Sequence, residues 1–356
     1  MSIGEILQLF LKAFMIGNLI MLIFALMTWI ERRLLSFFQY RLGPNRVGPF
    51  GILQPIADLL KLIRKENFAP KSVSQVLHLL SPIFTLFCAL AVFAVIPFGT
   101  NDWNLFGWHT PPYMGADLNV AVLFALAMNG LGGYGVIVGG WASNSKYALL
   151  GALRACAQLI SYEITLTLAL LPAIMMTSSL SMTDIADGHL GWHMGSLHPW
   201  FIVWAPVGFV LFLLAALAEA NRAPFDHAEA EQELVGGFHT EYGGLRYAAF
   251  ANAEYLHLLA ISGIGVTFFL GGTSVPGLAE PNDVMLGGLH MGALIALGSF
   301  LVKMAAFIFL FIWIRATVPR LRYDRLMRFG WKAMLPLATL QVLVTAVLVS
   351  QGWGRS

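Results

Sequence analysis

ALLGALRACAQLISYEITLTLALLPAIMM, residues 148–176, is the stretch that decides the architecture. As a helix rising about 1.5 Å per residue it is longer than the roughly 30 Å hydrocarbon core of a bilayer. It nevertheless carries Arg154, Gln158 and, at its middle, Glu163. A charge at the middle of a membrane costs about 2.5–3.5 kcal/mol on insertion scales, so ionisable residues inside such a run point to a function. At the helical period Arg154, Gln158, Ser161 and Thr165 share one stripe, and Glu163 points to roughly the opposite face. Glu163 therefore needs a partner on another helix, or a file of water.

Comparable apolar runs occur on both sides of it, at 6–30, 79–96, 120–141, 201–220, 248–270, 291–314 and 333–350. With 58% hydrophobic and 11% charged residues, the 356-residue chain lies far from the roughly 25% charge of soluble domains. The expected fold is an all-α integral membrane protein of about eight transmembrane helices, with interfacial amphipathic helices on the cytoplasmic face. No internal repeat or linker divides it, so residues 1–356 are read as one polytopic domain. The run at 6–30 is too long for the apolar core of a cleavable signal and ends in Glu31-Arg32-Arg33.

Basic residues set the orientation. Lys and Arg gather in the connections after odd-numbered spans, about 31–78, 142–147, 221–247 and 315–332, and are absent from the others. The positive-inside rule puts the odd connections in the cytoplasm and both termini on the opposite, periplasmic side of a bacterial inner membrane, or its mitochondrial counterpart. Cys88 and Cys156 stand alone, without a C-x-x-C pair, so no iron–sulfur or zinc site is expected. His189, His193 and His198 have no helical ligand spacing, and His257 and His290 differ in depth, which argues against metal and haem.

The cytoplasmic connections carry the chemistry. In the first, Leu53, Ile56, Leu59, Leu60 and Ile63 fall near one side of a helix and Asp58, Lys61, Arg64 and Lys65 mostly on the other. This describes a helix in the membrane interface, serving as an anchor or framing a lateral opening for a lipid-soluble ligand. In the last, Arg315, Arg320, Arg322, Arg325, Arg328 and Lys332 face one acid, Asp324; anionic lipid or a docked peripheral protein would match it. Seven of the nineteen acids lie in or beside the third: Glu219, Asp226, Glu229, Glu231, Glu233, Glu241 and Glu254. Asp226 and Glu229 suggest a capping box at a helix start, but capping explains only one or two acids. Crowded, partly buried carboxylates titrate as a coupled set and can exchange protons near neutral pH. Glu254 and His257 share a helix face, and Lys303 lies mid-span.

Four stretches carry a family resemblance: ERRLLSFFQYRLGPNRVGPFGILQPIADLLKL from Glu31, GWASNSKYALLGALRACAQLISYE ending at Glu163, AEANRAPFDHAEAEQELVGGFHTEYGG from Ala218, and IRATVPRLRYDRLMRFGWK from Ile314. The chain resembles the family of membrane-embedded H subunits of NADH:quinone oxidoreductase, respiratory complex I. The resemblance implies a quinone chamber between this chain and a peripheral arm, with electrons delivered by clusters on other subunits. It implies quinone as substrate and no iron–sulfur cluster, flavin or haem of the chain's own. It implies other membrane and peripheral-arm subunits as partners, beside membrane lipid, and no nucleic acid. The proton path it implies runs through Glu163, Glu219, Asp226, Glu229, Glu231, Glu233, Glu241 and Glu254. The quinone-binding set it implies is Glu31, Arg32, Arg41, Gln54, Asp58, Lys61, Arg222 and Arg246. Some relatives have a glutamate inside the third span; here Asn129 or water would have to bridge that gap. A membrane subunit of a membrane-bound hydrogenase and a stand-alone cation/proton antiporter are the competing readings, the latter motivated by Glu163, Glu254 and Lys303.

Overall fold

The structure is a computed structural model that describes residues 3–71, 73–98, 103–105, 108–110, 118–189, 200–228, 231–274, 285–286, 289–290 and 292–352. Asp117, His193, His198 and Glu229 lie outside the described residues, as do the side chains of Glu231 and His290.

The architecture is helical. In chain order the helices are α1 (Ile3–Phe38), α2 (Gln54–Arg64), α3 (Gln75–Val92), α4 (Ala121–Ala142), α5 (Lys146–Thr177), α6 (Met182–Gly188), α7 (Phe201–Trp204), α8 (Pro206–Glu219), α9 (Glu231–Leu234), α10 (Gly244–Phe269), α11 (Gly292–Thr317), α12 (Tyr323–Phe329) and α13 (Leu335–Ser350). Two short antiparallel ribbons accompany them, Trp103–Leu105 with Trp108–Thr110 and Met285–Leu286 with Leu289–His290. Five helical stretches among the described residues are long and apolar enough to cross a membrane: Gln75–Val95, Ala121–Ala142, Lys146–Thr177, Ile295–Thr317 and Tyr323–Ser350. In the last, a π-helical turn at Gly330–Met334 joins α12 to α13 without a break.

The run at 201–220 is divided. Pro206 cannot donate into the ladder, the chain bends at Ala205 (φ −128°, ψ 57°), and α8 keeps only 14 residues, about 21 Å. α10 is charged at its start, with Arg246, Glu254 and His257, and buried on all sides beyond: every residue from Leu258 to Phe269 is inaccessible. A helix apolar all round belongs in the middle of a bundle. Accordingly α3, α11, α1 and α8 all pack against it, α4 lies between α3 and α5, and α5 leans on α8 and α13. Phe209, Phe212, Phe269 and Phe307 interlock in the core, mostly edge to face, with ring centroids 5.3–6.4 Å apart. By contrast α2 buries nothing. Ile56, Leu59, Leu60 and Ile63 are half exposed along one side of it.

Candidate functional site

The acidic connection, residues 220–243, is held in place from α5. Gln158, fully buried, donates to the carbonyls of Ala218 (2.6 Å) and Phe225 (2.8 Å) and to Asn221 Oδ1 (3.3 Å). One turn earlier Arg154 donates to Glu233 Oε2 at 2.5 Å and lies 5.7 Å over the ring of Tyr323 in α12. Tyr162 donates to the Leu326 carbonyl (3.0 Å), and the Leu321 amide donates to the Pro224 carbonyl (3.3 Å), so the last connection closes over the acidic one. The polar stripe of α5 thus grips the connection. These tertiary bonds hold the Ala218, Pro224 and Phe225 carbonyls, and the helix start expected at Asp226 does not form: residues 226–228 are non-helical, and the α-helical turn here begins at Glu231.

At the centre is a buried ion cluster. Glu31 (3% exposed) accepts from Arg222 at 3.0 Å and from Arg315 on the same oxygen. Arg222 also places its Nε 2.8 Å from Glu254 Oε1, with its guanidinium 4.2 Å over the ring of Tyr255. Two guanidiniums and two carboxylates cancel formally, which is how charges survive burial. Arg315 completes the cluster. In sequence it is one base among six in the last connection, and only its place at the apolar end of α11 sets it apart.

Beside the cluster lies a cavity of about 70 Å³, counted as the space a water's centre can reach, room for several waters. Glu254 belongs to both. Glu219, Asn221 and His257 line the cavity from α8, its end and α10, Asn129 and Gly133 from α4, and Thr85 from α3. Glu219 is 4% exposed, with Oε1 3.8 Å from His257 Nε2. Both amide atoms of Asn129 are buried without a partner among the described residues, as water-bridging groups would be. Glu163 leaves α5 on the face away from Arg154 and lies against Gly130 of α4, where a Cβ would stand 2.6 Å from its Oε1. Gly130 is thus the space that the carboxyl occupies.

The remaining sequence-designated residues fall in separate places. Arg32, Lys61 and Gln54 converge on Asp58, the last two at 3.9 and 2.9 Å, on the accessible edge of α2. Arg41 is exposed, beyond the end of α1. Arg246 turns away from both groups and donates to His78 Nδ1 at 2.8 Å. Glu241 is half exposed in the connection. Outside the spans, the hydrogen bond from Arg154 holds the Glu233 carboxyl below its usual range. Burial pushes His227 and His239 down to about 4, so both are neutral at pH 7. The Lys303 ammonium donates to the carbonyls of Leu270 (2.7 Å), Gly272 (2.9 Å) and Ser274 (2.5 Å), in the turn that follows α10, and sits 4.7 Å over Trp200. All three of its donors are used in this arrangement. Among the described residues no group of three His, Cys, Asp or Glu could hold a metal.

Comparison with known proteins fits this geometry. A sequence model of the family described as NADH dehydrogenase matches residues 11–346. The chain is 47% identical over 334 residues to one of the H subunits of NADH-quinone oxidoreductase from Geobacter metallireducens, covering 94% of each chain. It is 46% identical over 340 residues to NADH-quinone oxidoreductase subunit 8 of Thermus thermophilus, covering 96% of this chain and 86% of that one. It is 44% identical over 350 residues to the corresponding H subunit of Thermomicrobium roseum, covering 97% of each. Together with the five apolar helices, these matches make it a membrane protein of the NADH dehydrogenase family, and the chain belongs with the H subunits of NADH-quinone oxidoreductase.

Proposed function

We propose that this chain is the single-domain membrane subunit that admits quinone to NADH:quinone oxidoreductase and couples its reduction to proton translocation through buried carboxylates. The observation that carries the proposal is the sharing of Glu254 between the neutral ion cluster with Arg222, Glu31 and Arg315 and the water-sized cavity with Glu219, His257 and Asn129. A charge change at the cluster alters the balance around Glu254, and the cavity offers the released or captured proton a wet path. Electrons would come from redox groups on partner subunits, docked on the face that carries Arg320, Arg322, Arg325 and Arg328. The half-exposed apolar side of α2, edged by Arg32, Gln54, Asp58 and Lys61, would lie in the interface and frame the quinone entrance. In this reading the eight helical runs span a bacterial inner membrane with the acidic connection on the cytoplasmic side.

The test is Glu219→Gln and Glu254→Gln in the assembled complex, reconstituted in vesicles. Quinone reduction and proton uptake per NADH are followed together. The proposal expects proton uptake to fall by about tenfold or more, since a positioned proton-transfer group is worth about 10²–10⁴ in rate. Full quinone reduction with full proton uptake in both variants would refute it.

A further inference from the structure

Four hydroxyls form a column between α3, α4 and the start of α10, and of them only Thr85 belongs to a group described above. Tyr242 is buried, and its hydroxyl meets those of Ser81 and Ser143 and donates to the Gly139 carbonyl at 3.3 Å. Ser143 donates to the same carbonyl at 2.8 Å, and Ser81 to the Gly135 carbonyl at 2.6 Å. One turn along α3, Thr85 donates to the Ser81 carbonyl at 3.1 Å and lines the carboxylate cavity. The other end reaches the surface at the turn between α4 and α5, where Asn144 beside Ser143 is exposed.

The glycines of α4 make the column possible. A Cβ at Gly135 would overlap Thr85 Oγ1, and one at Gly139 would stand 2.6 Å from Ser81 Oγ and 3.2 Å from Tyr242 Oη. Each of the two glycines thus makes room for a hydroxyl, Gly139 also for the edge of Phe250, 2.9 Å away. The phenol is also held in register. His78, fully buried, stacks on the Tyr242 ring at 3.8 Å and 4°, and its own Nδ1 is fixed by Arg246. At the inner end the unpartnered amide of Asn129 faces the same cavity.

We propose that Ser143, Tyr242, Ser81 and Thr85 form a proton-uptake branch that delivers protons from the acidic end of the bundle into the carboxylate cavity. The proposal rests on the carboxylate reading above and adds its inlet. At rest the three hydrogen bonds of Tyr242, Ser143 and Ser81 to α4 carbonyls, and that of Thr85 to Ser81, hold each O–H proton on the backbone, so the branch is closed. It conducts when the hydroxyls rotate in concert. A proton from surface water enters at Ser143, whose own proton passes to the Tyr242 oxygen. Tyr242 gives its proton to Ser81. Ser81 and Thr85 are a helical turn apart, about 5–6 Å, which one water bridges. Thr85 then protonates a cavity water or carboxylate. Each oxygen gains one proton and loses one, none is left charged, and no electron moves. His78 is a positioning residue, acting through Tyr242.

The test uses the whole complex in vesicles, with NADH-driven proton uptake read as the initial rate and electron transfer from NADH to a water-soluble acceptor as the measure of assembly. Thr85→Val, which keeps the shape and removes the hydroxyl, is expected to slow uptake by about tenfold or more and to abolish most of its slowing in D2O. Thr85→Ser is expected to restore both, and Ser81→Ala to behave like Thr85→Val. Wild-type uptake in Thr85→Val or, should that variant not assemble, in Ser81→Ala would overturn the inference. So would Thr85→Ser falling as far as Thr85→Val, which would make shape the cause. Glu219→Gln and Glu254→Gln separate the two levels: if either slows uptake while Thr85→Val does not, only the inlet fails, and if both leave uptake and quinone reduction intact the carboxylate reading itself falls.

Discussion

Replacing Arg222 by Met should be the most damaging single change in the ion cluster, and the geometry says by how much. The cluster holds Glu31, Glu254, Arg222 and Arg315 at zero formal charge. Arg222 touches both carboxylates, whereas Arg315 touches only Glu31. Without Arg222, Glu254 loses its contacting guanidinium and the buried group carries a net negative charge. Breaking a buried pair in this way costs about 3–5 kcal/mol. Without Arg315, both carboxylates keep Arg222, and Arg315 is itself a third exposed, so the cost should be about 1–2 kcal/mol, nearer that of a surface pair. The double variant Arg222→Met with Glu254→Gln returns the cluster to zero and should recover about 2 kcal/mol or more, the coupling of adjacent charges in a double-mutant cycle. The assay is the temperature at which half the purified complex disassembles, where about 3–5 kcal/mol corresponds to about 6–20 °C. The reasoning is refuted if Arg315→Met costs as much as Arg222→Met, or if the double variant is no more stable than Arg222→Met alone.

Two further outcomes follow from the same structure. Lys303→Met removes the ammonium from three carbonyls in the turn after α10, of which only that of Ser274 keeps another donor among the described residues, Ser299; bonds from a charged donor are worth about 1.5–3 kcal/mol each, so the half-disassembly temperature should fall by several degrees, with Lys303→Arg recovering part. Wild-type stability of Lys303→Met would dismiss this role. His227 takes a proton near 6.5 when exposed but only near 4 when folded, because burial first and Arg320 next oppose its charge. The stability that neutral His227 supports is therefore complete above about pH 6.5 and lost as the pH falls toward about 4. Protease cleavage within the acidic connection should rise across that window and flatten in His227→Asn; a pH-independent wild type would count against the burial argument.

The helical architecture was legible because apolar runs longer than a bilayer is thick leave few alternatives, and the stripe of Arg154, Gln158, Ser161 and Thr165 was legible from the helical period, but not what it binds. Where the sequence misled, long-range bonds had replaced local propensity. Asp226 and Glu229 have the spacing of a capping box, yet residues 226–228 are non-helical, and the segment leading into them is held through the Ala218 and Phe225 carbonyls by Gln158, sixty or more residues away. Arg246 lies among the acids in sequence, and its bond to His78, 168 residues away, is one that no local pattern supplies. The same holds for Lys303, whose three carbonyls belong to the turn after another helix. In α4, Gly132, Gly133 and Gly140 face carbons of Cys88, Leu159 and Ala152, as packing glycines do, whereas Gly130, Gly135 and Gly139 make room for oxygens of Glu163, Thr85, Ser81 and Tyr242, which no local pattern reveals.

The shared oxygen of Glu31 also sets a timetable. Its two partners arrive 191 and 284 residues later in the chain. At about 5–20 residues per second of synthesis, the ribosome needs on the order of tens of seconds to supply Arg222 after Glu31 has emerged, and longer for Arg315. Through that interval Glu31 lacks its buried partner, and α1 must keep it near the water-facing edge or protonated. The native seat of α1 becomes available only when Arg222 has been made and is completed by Arg315, so the first helix to be made is not the first to be locked. A nascent chain stopped before Arg222 would carry this defect in its earliest segment.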